Sequence, residues 1–138
     1  RNRSRNLGLE GAVQFVGRVP PEQVPLYYHI AAVSVDPVRD SVVDRARSPL
    51  KVMESMAAGT PVITGDVGER REYLGDGKAG LLVEAGNAEA LAAAMLKLVQ
   101  EEELLQRMRE AARSLSQQYY WDVLVHRFSK VYGLLENC

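Results

Sequence analysis

Residues 48–64 read SPLKVMESMAAGTPVIT, which puts a helix start, a helix stop and a strand in one short run. Ser48-Pro49 has the form of an N-cap followed by proline at the first helical position, where a fixed φ and a missing N–H do no harm. The helix is expected to run to Ala58 and to stop at Gly59, because glycine readily takes the left-handed conformation that closes a helix. Residues 61–64 (PVIT) are short and β-branched, as a buried strand would be. The same alternation continues on both sides. Residues 12–16 (AVQFV) are strand-like and end at Gly17, and Pro20-Pro21-Glu22 opens a short helix through about Ile30. Residues 32–35 (AVSV) form a second strand stopped by Asp36-Pro37, and residues 80–83 (GLLV) form a fourth. Short apolar strands alternating with helices predict an α/β domain built on a parallel sheet of about four strands.

Residues 87–136 read as helical. Asn87 caps the first helix with Glu89 in its first turn, and Leu91, Met95, Leu98 and Val99 make one stripe. Leu104, Met108, Ala112 and Leu115 make a second. Trp121, Leu124, Val125, Phe128, Val131, Tyr132 and Leu135 make a third. All three are expected to face a core.

Composition narrows the function classes. The chain has 138 residues, 46% apolar and 25% charged, with a formal charge of −1. Mean hydropathy is −0.18 and the isoelectric point is near 6.2. That describes one soluble globular domain, without the basic excess of a general nucleic-acid binder. Charge gathers locally: residues 1–18 have a net of +3, and residues 39–51, with Arg39, Arg45, Arg47 and Lys51 against Asp40 and Asp44, have +2. The single cysteine, Cys138, rules out a disulfide framework or a cysteine-based metal site within one chain and suits a reducing cytoplasm. No apolar run approaches the ~20 residues of a membrane span, and the Arg-rich start lacks the apolar stretch of a signal peptide.

In open α/β sheets ligands are received beyond the carboxyl ends of the strands. This singles out Gly17-Arg18-Val19, Asp36-Pro37, residues 39–51 and residues 64–68. A helix starting at Ser48-Pro49 aims the free N–H groups of Leu50, Lys51 and Val52 outward at the positive end of its dipole, a ready phosphate site. Lys51 opposes that dipole unless an anion shares the site; otherwise it is a surface cation paired with Glu54 or Ser55. Glu54 leans back toward the same end of the helix and could grip vicinal hydroxyls, as acidic residues grip ribose in dinucleotide folds, or could be a plain surface glutamate. His29 ends a helix, and His126 lies among the apolar residues of the last one. Neither has companions for zinc, and no Gly-x-Ser-x-Gly turn is present.

Four segments carry a family resemblance: VQFVGRVPPEQVPLYYHIAAVSVDP (13–37), SPLKVMESMAAGTPVITGDVGERREYL (48–74), DGKAGLLVEAGNAEALAAAM (76–95) and YYWDVLVHRFSKVY (119–132). In this order they resemble the C-terminal, donor-binding half of GT-B glycosyltransferases. The nearest likeness is to the retaining family-4-type enzymes of bacterial polysaccharide and glycoconjugate synthesis. The resemblance implies a Rossmann-like sheet with a helical C-terminal third. It also implies a UDP-, GDP- or ADP-linked sugar as donor, and neither cofactor nor catalytic metal. It places Gly17, Arg18 and Val19 near the base, Ser48 and the N–H groups of Leu50, Lys51 and Val52 on the diphosphate, and Glu54 on the ribose. The acceptor would be a glycan, a lipid or a small molecule.

The chain departs from the family in two respects. Many relatives carry two glutamates eight positions apart; Glu54 matches the second, but Ala46 stands at the first. Where relatives often have Gly-Gly before a glutamate, this chain has Gly68-Glu69, with Glu72 at the later acidic position. The family sheet runs in the order 3-2-1-4-5-6, and the four strands here correspond to its third to sixth. The first two strands and an N-terminal acceptor domain are thus expected to be missing, and with them activity of the isolated chain. Either residues 12–16 pair directly with the second strand, or another copy of the chain covers the open edges. A peripheral membrane contact is a further implication for the full-length parent. Two other readings stand beside this one: a non-catalytic Rossmann-like interaction or oligomerisation module, and a flavodoxin-like receiver domain resting on Asp36-Pro37.

Overall fold

The computed structural model describes residues 2–133. Its centre is β2, Val62–Gly65, every residue of which is buried. β1, Ser34–Asp36, lies parallel on one side with Ser34 opposite Val62 and Asp36 opposite Thr64. β3, Gly80–Val83, lies parallel on the other, with Val62 opposite Gly80 and Gly65 opposite Val83. The order β1-β2-β3 confirms the parallel α/β class. Gly80 sets the β2–β3 spacing, since a Cβ there would run into the Val62 carbonyl oxygen.

Successive residues of a strand point to opposite faces, and β2 serves two cores in this way. Val62 packs with Val52, Met56, Tyr73, Leu74, Ala79 and Ala112 on one face. Ile63 packs with Ala94, Leu98, Leu105 and Met108 on the other. The helices that supply these residues are α4 (Leu50–Ala57), α5 (Arg70–Tyr73), α6 (Ala88–Gln100) and α7 (Glu102–Ser116). α7 reaches both cores, through Met108 on one side and Ala112 on the other. Its stripe of Leu104, Met108, Ala112 and Leu115 faces inward as expected. On α6 the inward face is Leu91, Ala94 and Leu98, while Met95 and Val99 are exposed, so the face is turned by about one residue from the expected stripe. Asn87 caps α6 as read, its Oδ1 accepting from the Ala90 N–H at 2.9 Å.

Gly59 ends α4 with φ +77°. Its N–H reaches the Met56 carbonyl and the Thr60 N–H reaches the Ser55 carbonyl, both at 2.9 Å, a Schellman closure. The Thr60 hydroxyl donates to the Tyr28 carbonyl at 2.5 Å, tying this turn to α2 (Val24–Ile30). A 3₁₀ turn, Pro21–Gln23, leads into α2, and His29 lies in its last turn.

Three expectations are corrected. Residues 12–16 form no strand and do not pair with β1, which stays at the edge of the three-stranded sheet. Strand propensity alone makes no ladder, because a strand exists only through hydrogen bonds to another strand. α8, Trp121–Val131, buries none of its residues, and Trp121, Val125, Phe128 and Tyr132 are exposed. An amphipathic stripe reports that a face can be covered, not that anything within reach covers it. His126 is exposed on the same helix and bonds the Asp122 carbonyl through Nδ1 at 2.8 Å. Leu135 and Cys138 lie outside the described residues. Finally, Ser48 does not cap α4: the helix starts at Leu50 with Pro49 at the cap position and no side-chain cap bond. The serine that caps is Ser41, which accepts the Asp44 N–H at 3.1 Å and opens α3, Val42–Ala46. The short N-terminal α1, Asn2–Asn6, also buries no residue.

Candidate functional site

The first turn of α4 lies beyond the carboxyl ends of β1 and β2. Pro49 is buried with φ −85° and ψ 94°, an extended cap that lifts the chain into the helix. Among the described residues no acceptor meets the N–H groups of Leu50 and Lys51, whereas the Val52 N–H already donates to the Pro49 carbonyl at 2.9 Å. The backbone donors open to an anion are therefore two, not the three expected. Ser48 is also committed. Tyr73 donates its single hydroxyl proton to Glu69, so at the 2.6 Å contact between Ser48 Oγ and the Tyr73 oxygen the serine must be the donor. Burial first, and then the Glu69 carboxylate, push the Tyr73 hydroxyl pKa up. Ser48 thus fixes the approach to α4 through Tyr73, with no proton left for a ligand.

Beside this turn lies a charge cluster whose connectivity the sequence did not reveal. Asp36 ends β1 almost wholly buried, and its Oδ2 accepts from Nε of the buried Arg70 at 3.1 Å. Arg70 also donates to the Asp44 carbonyl at 3.0 Å and the Val67 carbonyl at 3.4 Å, drawing three loops together. Lys51 Nζ stands 3.0 Å from the other oxygen, Oδ1, with the lysine side chain 51% exposed. Burial alone would raise the Asp36 pKa, but the contacts and charges of Lys51 and Arg70 outweigh it and hold the carboxyl below its ordinary value. Lys51 is therefore paired with Asp36 rather than with Glu54 or Ser55. The three groups sum to one positive charge at the mouth of a narrow crevice lined by Tyr28, Ser34, Asp36 and Lys51.

One turn along α4, Glu54 is exposed and faces a groove of about 330 Å³ lined by Pro21, Val24, Pro25, Tyr28, Glu54, Ala57 and Ala58. Its walls are mostly apolar. Tyr28 lines both groove and crevice. Burial chiefly, and then the Glu54 carboxylate beside it, raise the Tyr28 pKa. Gly17, Arg18 and Val19 do not line this groove; they precede Pro21, which does. Gly17 takes φ +75°, Gly17 and Arg18 are exposed, and the segment runs into Pro21 on the groove wall. Among the described residues no hydrogen bond or ion pair joins residues 17–19 to α4. Ala46 is exposed at the end of α3, and the neighbouring acid, Asp44, is engaged by Ser41 and by Arg47 at 3.1 Å.

A separate cavity of about 220 Å³ opens between Val38, Gly65, Val83 and the start of α6. Among the described residues no group of three or more His, Cys, Asp or Glu side chains is placed to hold a metal ion, and no helix is long and apolar enough to cross a membrane. Sequence reading singled out Lys51 and Glu54 from their positions on the helix, with a plain surface role as the alternative for each. It missed Arg70, which looks like one more surface charge in GERRE, and Tyr28, which looks like one aromatic of a short amphipathic helix. Asp36 was singled out with Pro37 as a ligand-receiving strand end, without the partners that hold it.

A small parallel sheet with helices packed on both faces defines a Rossmann-like α/β domain. The chain belongs to the glycosyl transferases group 1 family, whose model matches residues 1–115. It is 30% identical over 132 residues to a D-inositol 3-phosphate glycosyltransferase of Corynebacterium aurimucosum, covering 96% of this chain and 30% of that protein. It is 38% identical over 81 residues to a phosphatidyl-myo-inositol mannosyltransferase of Mycobacterium leprae, covering 59% and 22%. Among solved structures, sucrose-phosphate synthase from Thermosynechococcus elongatus superposes with a TM-score of 0.84 at 27% identity, over 97% of this chain and 33% of that one. Anabaena HepE in complex with UDP shares the fold, with a TM-score of 0.73 at 20% identity over 97% and 35%. The chain thus spans about a third or less of the length of these proteins.

Proposed function

We propose that this chain is the donor-binding part of a glycosyltransferase that moves a sugar from a nucleoside-diphosphate donor to a glycan, lipid or small-molecule acceptor. The observation that carries the reading is the arrangement along α4: two open N–H groups and an ammonium at its start, and a carboxylate one turn later beside an apolar groove. A diphosphate suits the first end and a nucleoside suits the second. The Leu50 and Lys51 N–H groups and the Lys51 ammonium would stabilise charge growing on the leaving diphosphate as the glycosidic bond breaks. Glu54 would accept from ribose hydroxyls, and residues 17–19 would border the base. Membership of the group 1 family and the likeness to sucrose-phosphate synthase support this reading. A cytoplasmic setting, where nucleotide sugars are made and thiols stay reduced, accords with the single cysteine.

Titration calorimetry of the chain with UDP, GDP and ADP tests it. One of them is expected to bind at one site, and Glu54→Ala is expected to weaken that binding about tenfold through loss of a charge-assisted hydrogen bond. Absence of binding by all three nucleotides would refute the proposal. A second reading, a non-catalytic interaction module closed by another copy, is favoured by the unpaired edge of β1 and the exposed apolar side of α8. It predicts a dimer by light scattering and no nucleotide binding.

A further inference from the structure

We infer that Lys51 is a movable counter-ion, held by Asp36 when the crevice is empty and transferred to the diphosphate when it is filled, with Arg70 keeping Asp36 neutralised throughout. The inference rests on the donor-binding reading of the same crevice and assigns a regulated charge to it. Three features of the cluster lead there. The two oxygens of Asp36 are held unequally. Oδ2 is fixed by a buried guanidinium in a 3.1 Å hydrogen bond. Oδ1 is buried, and although Lys51 Nζ lies 3.0 Å away, the two do not form an aligned hydrogen bond. Arg70 is anchored at two further points, the carbonyls of Asp44 and Val67, whereas Lys51 has no second anchor and half its side chain is in solvent.

The energetics follow from that asymmetry. Removing the buried partner of a buried carboxylate is costly, but releasing a half-exposed second one is not, because the buried Asp36–Arg70 pair stays neutral by itself. The ammonium can therefore leave without stranding a buried charge. Its stem starts in the first turn of α4, next to the open N–H groups of Leu50 and Lys51, so an anion bound there is within the sweep of a four-carbon side chain. Asp36 in turn keeps an otherwise repulsive cation quiet at the positive end of the helix when no ligand is present. The cluster would make the crevice respond to the phosphates of a ligand rather than to its nucleoside.

The test uses the 138-residue chain, the best-binding diphosphate among UDP, GDP and ADP, and the matching nucleoside. Lys51→Met is expected to lower diphosphate affinity about tenfold, to leave nucleoside affinity within about twofold, and to leave the urea midpoint close to that of the unaltered chain, because the lysine is half in solvent and Arg70 still neutralises the buried Asp36. Lys51→Arg is expected to recover most of the loss. The Lys51 CεH₂ resonances of the unaltered chain should shift on adding diphosphate and stay in place with nucleoside. Unchanged diphosphate affinity in Lys51→Met, or stationary Lys51 resonances, would overturn the inference while leaving the donor site standing. Failure of the unaltered chain to bind any nucleotide would overturn both. A Lys51→Met chain that unfolds in much less urea would show the lysine to be structural, and that also refutes the inference.

Discussion

Arg70→Met removes a buried guanidinium and leaves the Asp36 carboxylate facing one half-exposed lysine. At the 3.1 Å separation of Nε and Oδ2, and an effective dielectric of about 20, the lost attraction is about 5 kcal/mol. Two hydrogen bonds to the Asp44 and Val67 carbonyls go as well, worth roughly 1 kcal/mol each. Against this, the arginine no longer has to be desolvated and the methionine fills part of its volume. Breaking a buried pair at one partner costs about 3–5 kcal/mol on balance. A chain of 138 residues has a total stability of about 7–20 kcal/mol, so the variant should fold but melt roughly 12–20 °C lower. The measurement is thermal and urea denaturation followed by circular dichroism. pH supplies a second arm. The folded pKa of Asp36 lies below its unfolded value, so its contribution is present above about pH 4 and is lost as pH falls through the lowered folded value. The deficit of Arg70→Met should therefore be largest near neutrality and shrink in acid, where a protonated Asp36 no longer needs a partner. A loss under about 1 kcal/mol at neutral pH, or a deficit indifferent to acid, would refute the assignment of Arg70 as the partner that holds Asp36.

Gly80→Ala would drive a Cβ into the Val62 carbonyl oxygen across the β2–β3 ladder, and backbone cannot yield as a side chain can. A loss of at least about 3 kcal/mol in urea denaturation is expected, and a variant as stable as its parent would show the strands to be further apart. Three of the chain's six tyrosines, Tyr28, Tyr73 and Tyr119, have pKa values raised chiefly by burial. Raised folded values mean that their contribution is intact below the unfolded pKa of about 10 and is lost as pH rises through the folded values. Absorbance titration should show three tyrosinates appearing late, together with alkaline unfolding.

Local chemistry explains what the sequence made legible. Residues 48–64 carry their own start and stop, since proline, glycine and a β-branched run act within a few residues, and α4 and β2 lie where those signals put them. Asn87 and the stripe of α7 are equally local. Features that depend on distant partners were not legible. AVQFV has the composition of a strand, yet a strand exists only in a ladder, and the sheet order β1-β2-β3 does not include it. Ser48 and Ser41 look alike in sequence; which of them caps a helix was decided by Tyr73, which takes up the Ser48 hydroxyl. Arg70 meets Asp36 across 34 positions, a pairing that no periodicity predicts.

The donor site is tested most directly by a ¹⁵N-resolved NMR titration of the chain with the nucleoside diphosphate that binds it. The largest shifts are expected at the amides of Leu50 and Lys51, with smaller ones at Glu54 and Tyr28 and little change at Val52, whose N–H is already bonded. Shifts gathered instead around Val38, Gly65 and Val83, at the cavity by α6, would place the ligand elsewhere and contradict the assignment of α4 as the diphosphate end of the site.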